Sequence, residues 1–206
     1  LVYVVVGLLD SIHFHERLPA QAQYSAEVKS LLDKALAPLR VRVETTYSEP
    51  FAIHAYAKET VEHLDGRRTR EYPRLKYAGA HLADPADHAA DVLRKAAVAG
   101  VAGLLVWGLL VAVFLLGWRG PREPFSQALR RLARGESKVP WRTVFVTAGV
   151  LILVASNIGY LSLYYHVLGT DQVGQDVLLK SLKSIRTGLV IGTLTTLVML
   201  PFAVLF

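Results

Sequence analysis

The sequence predicts an all-α transmembrane helical protein with a small α+β extracytoplasmic module, and three observations carry that prediction. First, three stretches contain no Asp, Glu, Lys, Arg or His: Ala96–Trp118 and Thr143–Tyr165, 23 residues each, and Thr187–Phe206, 20 residues. A helix rises about 1.5 Å per residue, so these lengths match a hydrocarbon core about 30 Å thick. Second, the 206-residue chain is 52 % hydrophobic and only 19 % charged. A chain of that size cannot supply the layers needed to bury three such helices in water. Third, the 24 residues of 119–142 hold Arg119, Arg122, Arg130, Arg131, Arg134, Lys138 and Arg142 against only Glu123 and Glu136.

The third observation sets the expected sidedness. Lys and Arg near span ends are retained in the cytoplasm, most dependably in short loops. Loop 119–142 is therefore expected to be cytoplasmic, with 11–95 and 166–186 on the opposite, periplasmic or extracellular face. Residues 1–95 balance 13 basic against 13 acidic side chains, so nearly all of the +6 net charge belongs to this one loop. A membrane-flanking charge of this kind points to lipid and not to nucleic acid. The absence of cysteine excludes disulfides, thiolate metal sites and thiol nucleophiles.

In chain order, residues 1–9 are apolar but too short to span, and are expected to be the end of a truncated transmembrane span. Residues 11–95 form the expected periplasmic α+β module. Ser25 can cap a helix over 25–37, with Glu27 in its first turn and Val28, Leu31, Leu32, Ala35 and Leu36 on one face. Pro38 should end it. Alternation then predicts strands over 41–45 and 51–56, and Asp65-Gly66 suits the turn of a hairpin between 57–64 and 67–72. Asp84-Pro85 reads as a helix start running straight into the span 96–118. His13 and His15 share one face of a strand, but two imidazoles without a third ligand read as structure, and neither metal nor cofactor is expected. His54, His63, His81 and His88 read likewise.

The span 96–118 carries Ala99, Gly100, Ala102, Gly103, Gly108, Ala112 and Gly117, which allow close helix approach. Trp118, Trp141, Tyr160, Tyr164 and Tyr165 sit where interfacial aromatics belong. In loop 119–142, Phe125, Ala128, Leu129 and Leu132 define the apolar side of an amphipathic helix whose arginines can meet anionic headgroups. In the span 143–165, Asn157 is able either to hydrogen-bond across helices or to be satisfied locally near the outer interface.

Residues 166–186 form the expected periplasmic elbow. Asp171 suits an Asx-turn, Gly174 an unusual backbone conformation, and Asp176 the cap of a short interfacial helix over Val177–Ile185. Lys183 and Arg186 then anchor the entry to 187–206. A carboxylate pair with no accompanying nucleophile or base does not make a hydrolytic site, so no enzymatic activity is expected.

Leu168-Gly169-Thr170-Asp171, followed by Gly174, Asp176-Val177, Arg186-Thr187-Gly188-Leu189 and Gly192, resembles the entry into the permease core of the dipeptide/oligopeptide ATP-binding-cassette importers, most of all their C-type subunit. That family reads L-G-T-D-x-x-G-R-D-V at this point, and Gln175 stands where its arginine is usual. The resemblance covers 166–206. It implies a multi-pass permease subunit of the cell inner membrane, forming part of the translocation pathway of an ATP-driven peptide or small-solute importer. The implied partners are a second permease subunit, two cytoplasmic ATPase subunits, a periplasmic substrate-binding protein and membrane lipid. Gly169, Thr170, Asp171, Gly174, Asp176, Arg186 and Gly188 would form the structural and gating elbow. Residues 187–206 would be the first, truncated helix of the permease core, with the ATPase-coupling helix beyond Phe206. Ordinary C-type subunits have one span before the elbow and a short outer loop, so by this resemblance the extra spans and module look like an elaborated branch of the family. Module 11–95 is expected to dock the binding protein or cap the translocation mouth. The alternative from another class is a non-transport membrane sensor or scaffold with an extracytoplasmic ligand-binding module. Dipeptide, oligopeptide, nickel and other small solutes all remain open as cargo.

Overall fold

The computed structural model describes residues 2–17, 24–62, 68–120, 124–136 and 139–205. It divides into two compact units, Leu1–Ala80 with Tyr165–Phe206, and His81–Tyr164. Among the described residues, three helices are long and apolar enough to cross a bilayer, which is the architecture of a multi-pass membrane protein.

The unit His81–Tyr164 is a helical hairpin. Asp84 accepts the Ala86 amide at 2.8 Å and caps a 3₁₀ turn at Pro85–Asp87. That turn leads without a break into α4 (His88–Trp118), as the Asp-Pro pair predicts. A second long helix, α6 (Trp141–Leu161), packs along α4, and the short α5 (Phe125–Arg134) lies between them in sequence. Small residues set the approach of the two long helices. Ala99 and Gly103 are buried on α4, and a Cβ at Gly103 would meet the Ser156 hydroxyl. Gly149 of α6 lies under the Trp107 ring, whose Nε1 donates to the Phe145 carbonyl at 2.8 Å. Gly108 and Gly117 face open space, so they do not contribute. Of the two readings of Asn157 the structure takes the local one, since it turns back to Leu153 of its own helix, while the Oγ of its neighbour Ser156 donates across to the Ala99 carbonyl at 3.0 Å. At the far end of the hairpin from α5, Lys95 pairs with Asp91 and sits 4.5 Å above the Tyr164 ring, and His81 meets Asp91 at 2.8 Å.

In the other unit, α1 (Val2–Ser11) runs beside α7 (Val177–Leu205) in the opposite direction. Gly7 lies against Leu189, and Asp10 lies 3.9 Å from Arg186. The expected break between an interfacial helix and a span is absent: α7 is one continuous 29-residue helix, because no residue between Leu178 and Leu200 interrupts its amide ladder. Pro201 is the only proline inside it.

Three other expectations fail for identifiable reasons. The segment expected to be helical from Ser25 is instead β2 (Tyr24–Ser30), paired antiparallel with β1 (His13–Arg17). The helix begins at α2 (Leu31–Ala35), where Ser30 and Asp33 form a reciprocal capping box. Val28 falls at helical spacing, but its backbone is satisfied across the hairpin. Pro38 ends α2 only in the sense that it restarts the chain at the head of α3 (Ala37–Val41). The strands expected over 41–45 and 51–56 do not form: Val41 ends α3, the remainder is irregular, and His54 makes an isolated bridge to Arg74. Their alternation is partly inverted, since Val41 is 72 % exposed while Glu44 faces inward. Ile53 and Ala55 are buried as predicted, and Ala55 joins Leu75 and Ala78 in a small core. The hairpin is present as β3 (Glu59–Glu62) and β4 (Arg68–Glu71), in antiparallel register. Its Asp65-Gly66 turn lies outside the described residues. Tyr165, expected at a membrane interface, is buried and packs 6.5 Å from the Phe51 ring.

Candidate functional site

Five of the seven residues expected to form the elbow come together in one built turn ahead of α7. Asp171 Oδ1 accepts the amides of Val173 (3.0 Å) and Gln175 (2.9 Å), which is the predicted Asx geometry. The turn closes through Gly174 N to the Asp171 carbonyl at 2.9 Å and Asp171 N to the Gln175 carbonyl at 3.0 Å. Lys180, one turn into α7, pairs with the same carboxylate. That cation and the donated amides hold the Asp171 carboxyl below its ordinary value. Asp176 Oδ1 accepts from Leu178 N at 2.8 Å and caps α7 where its first amides lack partners.

The elbow is docked on residues 44–51. Gly169 and Gly174 have φ of 74° and 76°, and a Cβ on either would overlap a carbonyl, that of Ser48 and that of Glu44 respectively. Glycine is required at both positions, for conformation and for close approach. Thr170, fully buried, donates its hydroxyl to the Thr46 carbonyl at 2.9 Å and contacts Ser48 Oγ at 3.0 Å. Backbone bonds run from Glu44 N to Gly174 O (2.9 Å) and from Thr170 N to Ser48 O (3.2 Å). Opposite them, Pro50 and Phe51 form the centre of a turn closed by Ala52 N to Glu49 O at 3.1 Å. Phe51 takes φ 58°, a conformation that usually calls for glycine. Its amide bond to the His166 carbonyl (3.0 Å) and its ring contact with Tyr165 hold it there.

At the centre of this docking lies a buried charge cluster that the sequence reading does not identify. His166 Nδ1 donates to Asp176 Oδ2 at 2.7 Å, and Nε2 reaches Glu44 Oε1 at 3.4 Å. All three residues are at most 6 % exposed. Glu44 also accepts the amides of Lys76 (2.8 Å), Tyr77 (2.8 Å) and Ala78 (3.3 Å). Burial alone would push its carboxyl up, but the His166 bond and the three amides outweigh that and bring it down to about 2. Burial would push the imidazole down, but the hydrogen bonds and charges of Asp176 and Glu44 raise it to about 9. His166 is therefore an imidazolium at neutral pH, with both ring N–H groups donating to carboxylates. Such an arrangement holds two chain segments together. The cue in the sequence was the proximity of His166 to the Gly-Thr-Asp run; nothing local marked Glu44.

Arg186 and Gly188 stand apart from the turn. Arg186 Nη1 lies 3.2 Å from His13 Nε2, in a cleft of about 440 Å³ that also holds Asp10, Asp33 and Lys183. There Ser30 Oγ donates to Asp10 at 2.7 Å, and Lys183 pairs with Asp33. Gly188 opens a shallow groove along α7 with Gly192 and Thr196. Gln175 is exposed beside a cleft of about 390 Å³ that already contains Arg40, Lys180 and Lys183, so an arginine here would add a fourth cation. Among the described residues, no group of three or more His, Cys, Asp or Glu side chains is arranged to hold a metal ion. Comparison with protein-family models, with curated protein sequences and with solved structures finds no match to this chain.

Proposed function

We propose that this chain is the elbow-bearing part of an inner-membrane permease subunit, of the C-type found in ATP-driven peptide importers. In this reading module 11–95 is extracytoplasmic and braces the elbow from which the pathway-lining helix α7 starts. A single observation carries the reading. Gly169, Thr170, Asp171, Gly174 and Asp176, five of the residues that carry the family resemblance, each have a separate structural task in one turn at the head of a long apolar helix. A permease works by shifting between two packings of its helices, and a rigid element at the outer end of one helix lets a docked binding protein bias that balance. The partners would be a second permease subunit, two ATPase subunits and a periplasmic substrate-binding protein, and the subunit itself would perform no covalent chemistry.

The test is uptake in proteoliposomes by the full-length protein with its cognate permease, ATPases and binding protein, using a panel of di- and oligopeptides and nickel. ATP-dependent accumulation of one cargo is expected, abolished when the elbow is disrupted by G174V. Full assembly with no ATP-dependent uptake of any cargo would favour the sensor or scaffold reading instead.

A further inference from the structure

We propose that α5 and the adjoining ends of α4 and α6 form a docking site for the headgroup of an anionic phospholipid. Ala128 and Leu132 of α5 are buried together with Val111 and Leu115 of α4, and Trp107, Phe114, Trp118, Trp141 and Phe145 pack around them. Ala128 and Leu132 are thus spent on protein, and the helix is pinned to the hairpin instead of floating free in the interface. Gly135, at φ 73°, ends α5 and turns the chain back toward α6. Trp118 and Trp141 mark the ends of the two long helices, where indoles settle at headgroup depth. The remaining face of α5 is therefore presented at the level of lipid phosphates.

That face is strongly cationic. Arg130, Arg131 and Arg134 are exposed on α5, with Arg119 and Arg142 exposed at the helix ends beside it, and Glu136 is the one acidic residue among the described residues of this segment. Arg134 and Glu136 are 3.6 Å apart with both side chains mostly in solvent, so their pairing leaves the patch positive. Arg131 stacks 5.0 Å over the Trp118 ring, which fixes one guanidinium at the indole. Phe125 and Leu129 are exposed on one flank of the same helix. A soluble acidic partner has no use for exposed apolar residues at membrane depth. A phospholipid matches both features, with phosphate on the arginines and acyl chain against the apolar flank. The site stands on the geometry of the hairpin alone and does not depend on the transport reading.

The experiment is native mass spectrometry of the full-length protein in mild detergent, titrated with phosphatidylglycerol or phosphatidylcholine. Wild type is expected to retain phosphatidylglycerol in preference to phosphatidylcholine. R130Q/R134Q is expected to lower that retention by at least about tenfold, since each basic side chain near an anionic surface contributes about fivefold. R130K/R134K, which keeps the charge, is expected to retain it. Raising salt from about 0.1 M to about 1 M, which shortens the screening length from about 10 Å to about 3 Å, should release the lipid from wild type and so gives a readout that does not depend on how a variant folds. Equal retention of the two lipids overturns the proposal. So does displacement of the lipid by millimolar inorganic phosphate, which would mark a site for the free anion. Unchanged lipid retention in R130Q/R134Q with loss of a co-purifying soluble protein would assign the patch to that protein and overturn it likewise.

Discussion

Around the elbow, an imidazolium and two carboxylates are withdrawn from water and joined to each other and to backbone amides, whereas α4 and α6 are joined by glycines, alanines and a few neutral hydrogen bonds. The two regions answer different solvents. A segment outside the long apolar helices gains little from apolar contact unless it buries a core, and the one beside residues 44–51 is only the small cluster of Ala55, Leu75 and Ala78. The segment is held by satisfied charges, each of which becomes a large liability if its partner is removed. Helices in lipid gain nothing from hiding leucine, so their association rests on close approach and modest polar bonds. The first kind of joint should be brittle and pH-sensitive, and the second tolerant and insensitive to pH.

H166A should break the elbow joint most completely. It leaves Glu44 and Asp176 buried without their cation, a loss of about 3–5 kcal/mol. Hydrogen exchange should show lost protection at amides 168–178, with α4 and α6 unchanged; retained protection at the elbow would contradict the charge argument. Titration sharpens the same contrast. His166 is raised from 6.5 to about 9, so its stabilisation is fully present below pH 6.5 and is lost as pH rises through about 9. Glu44 is lowered from 4.5 to about 2, so its contribution is fully present above pH 4.5 and is lost as pH falls through about 2. Elbow stability should therefore peak between these limits and fall by up to about 3 kcal/mol on the alkaline side. An H166Q protein should show no such alkaline fall in denaturant unfolding of the elbow, monitored by the fluorescence of a probe placed at Val173.

G174A tests backbone approach apart from charge. A left-handed alanine pressed on the Glu44 carbonyl should cost about 2–3 kcal/mol, read as a lower unfolding midpoint of the elbow with the pH profile retained. Within the hairpin, G103V should force α4 from Ser156 and cost about 1–2 kcal/mol, visible as increased accessibility of cysteines introduced along the α4–α6 seam. S156A should have the smallest effect, about 0.6 kcal/mol, with no dependence on pH. If S156A matched H166A in magnitude, the distinction between the two joints would fail.

The spans were legible because a run of 20 or more uncharged residues has few alternatives in so short a chain. The elbow turn was legible because Gly, Asp and Thr each act on backbone within a few residues of themselves. What the sequence concealed is what depends on distant partners. Glu44 sits in an alternating run that reads as a strand with its charge outward, and only the amides of residues 76–78 and the ring of His166 turn it inward. Val28 matched a helical stripe because helical and extended spacings coincide over a few residues, and the pairing of β2 with β1 decided between them. Ser156 and Asn157 are adjacent polar residues on one helix, and only the packing of α4 selects the serine.

Glu44 and His166 meet across 122 positions of chain, and the two long helices of the hairpin lie between them. During synthesis the carboxylate therefore emerges well before its cation, and the joint waits for an entire helical hairpin to be made. Contacts of such sequence separation form late, after the loop-closure entropy has been met. Until then the amides of residues 76–78, only some thirty positions away, provide a local receptor for the Glu44 charge. The order of synthesis is thereby built in: the amides that receive Glu44 are made early, and the imidazole follows only after both long helices.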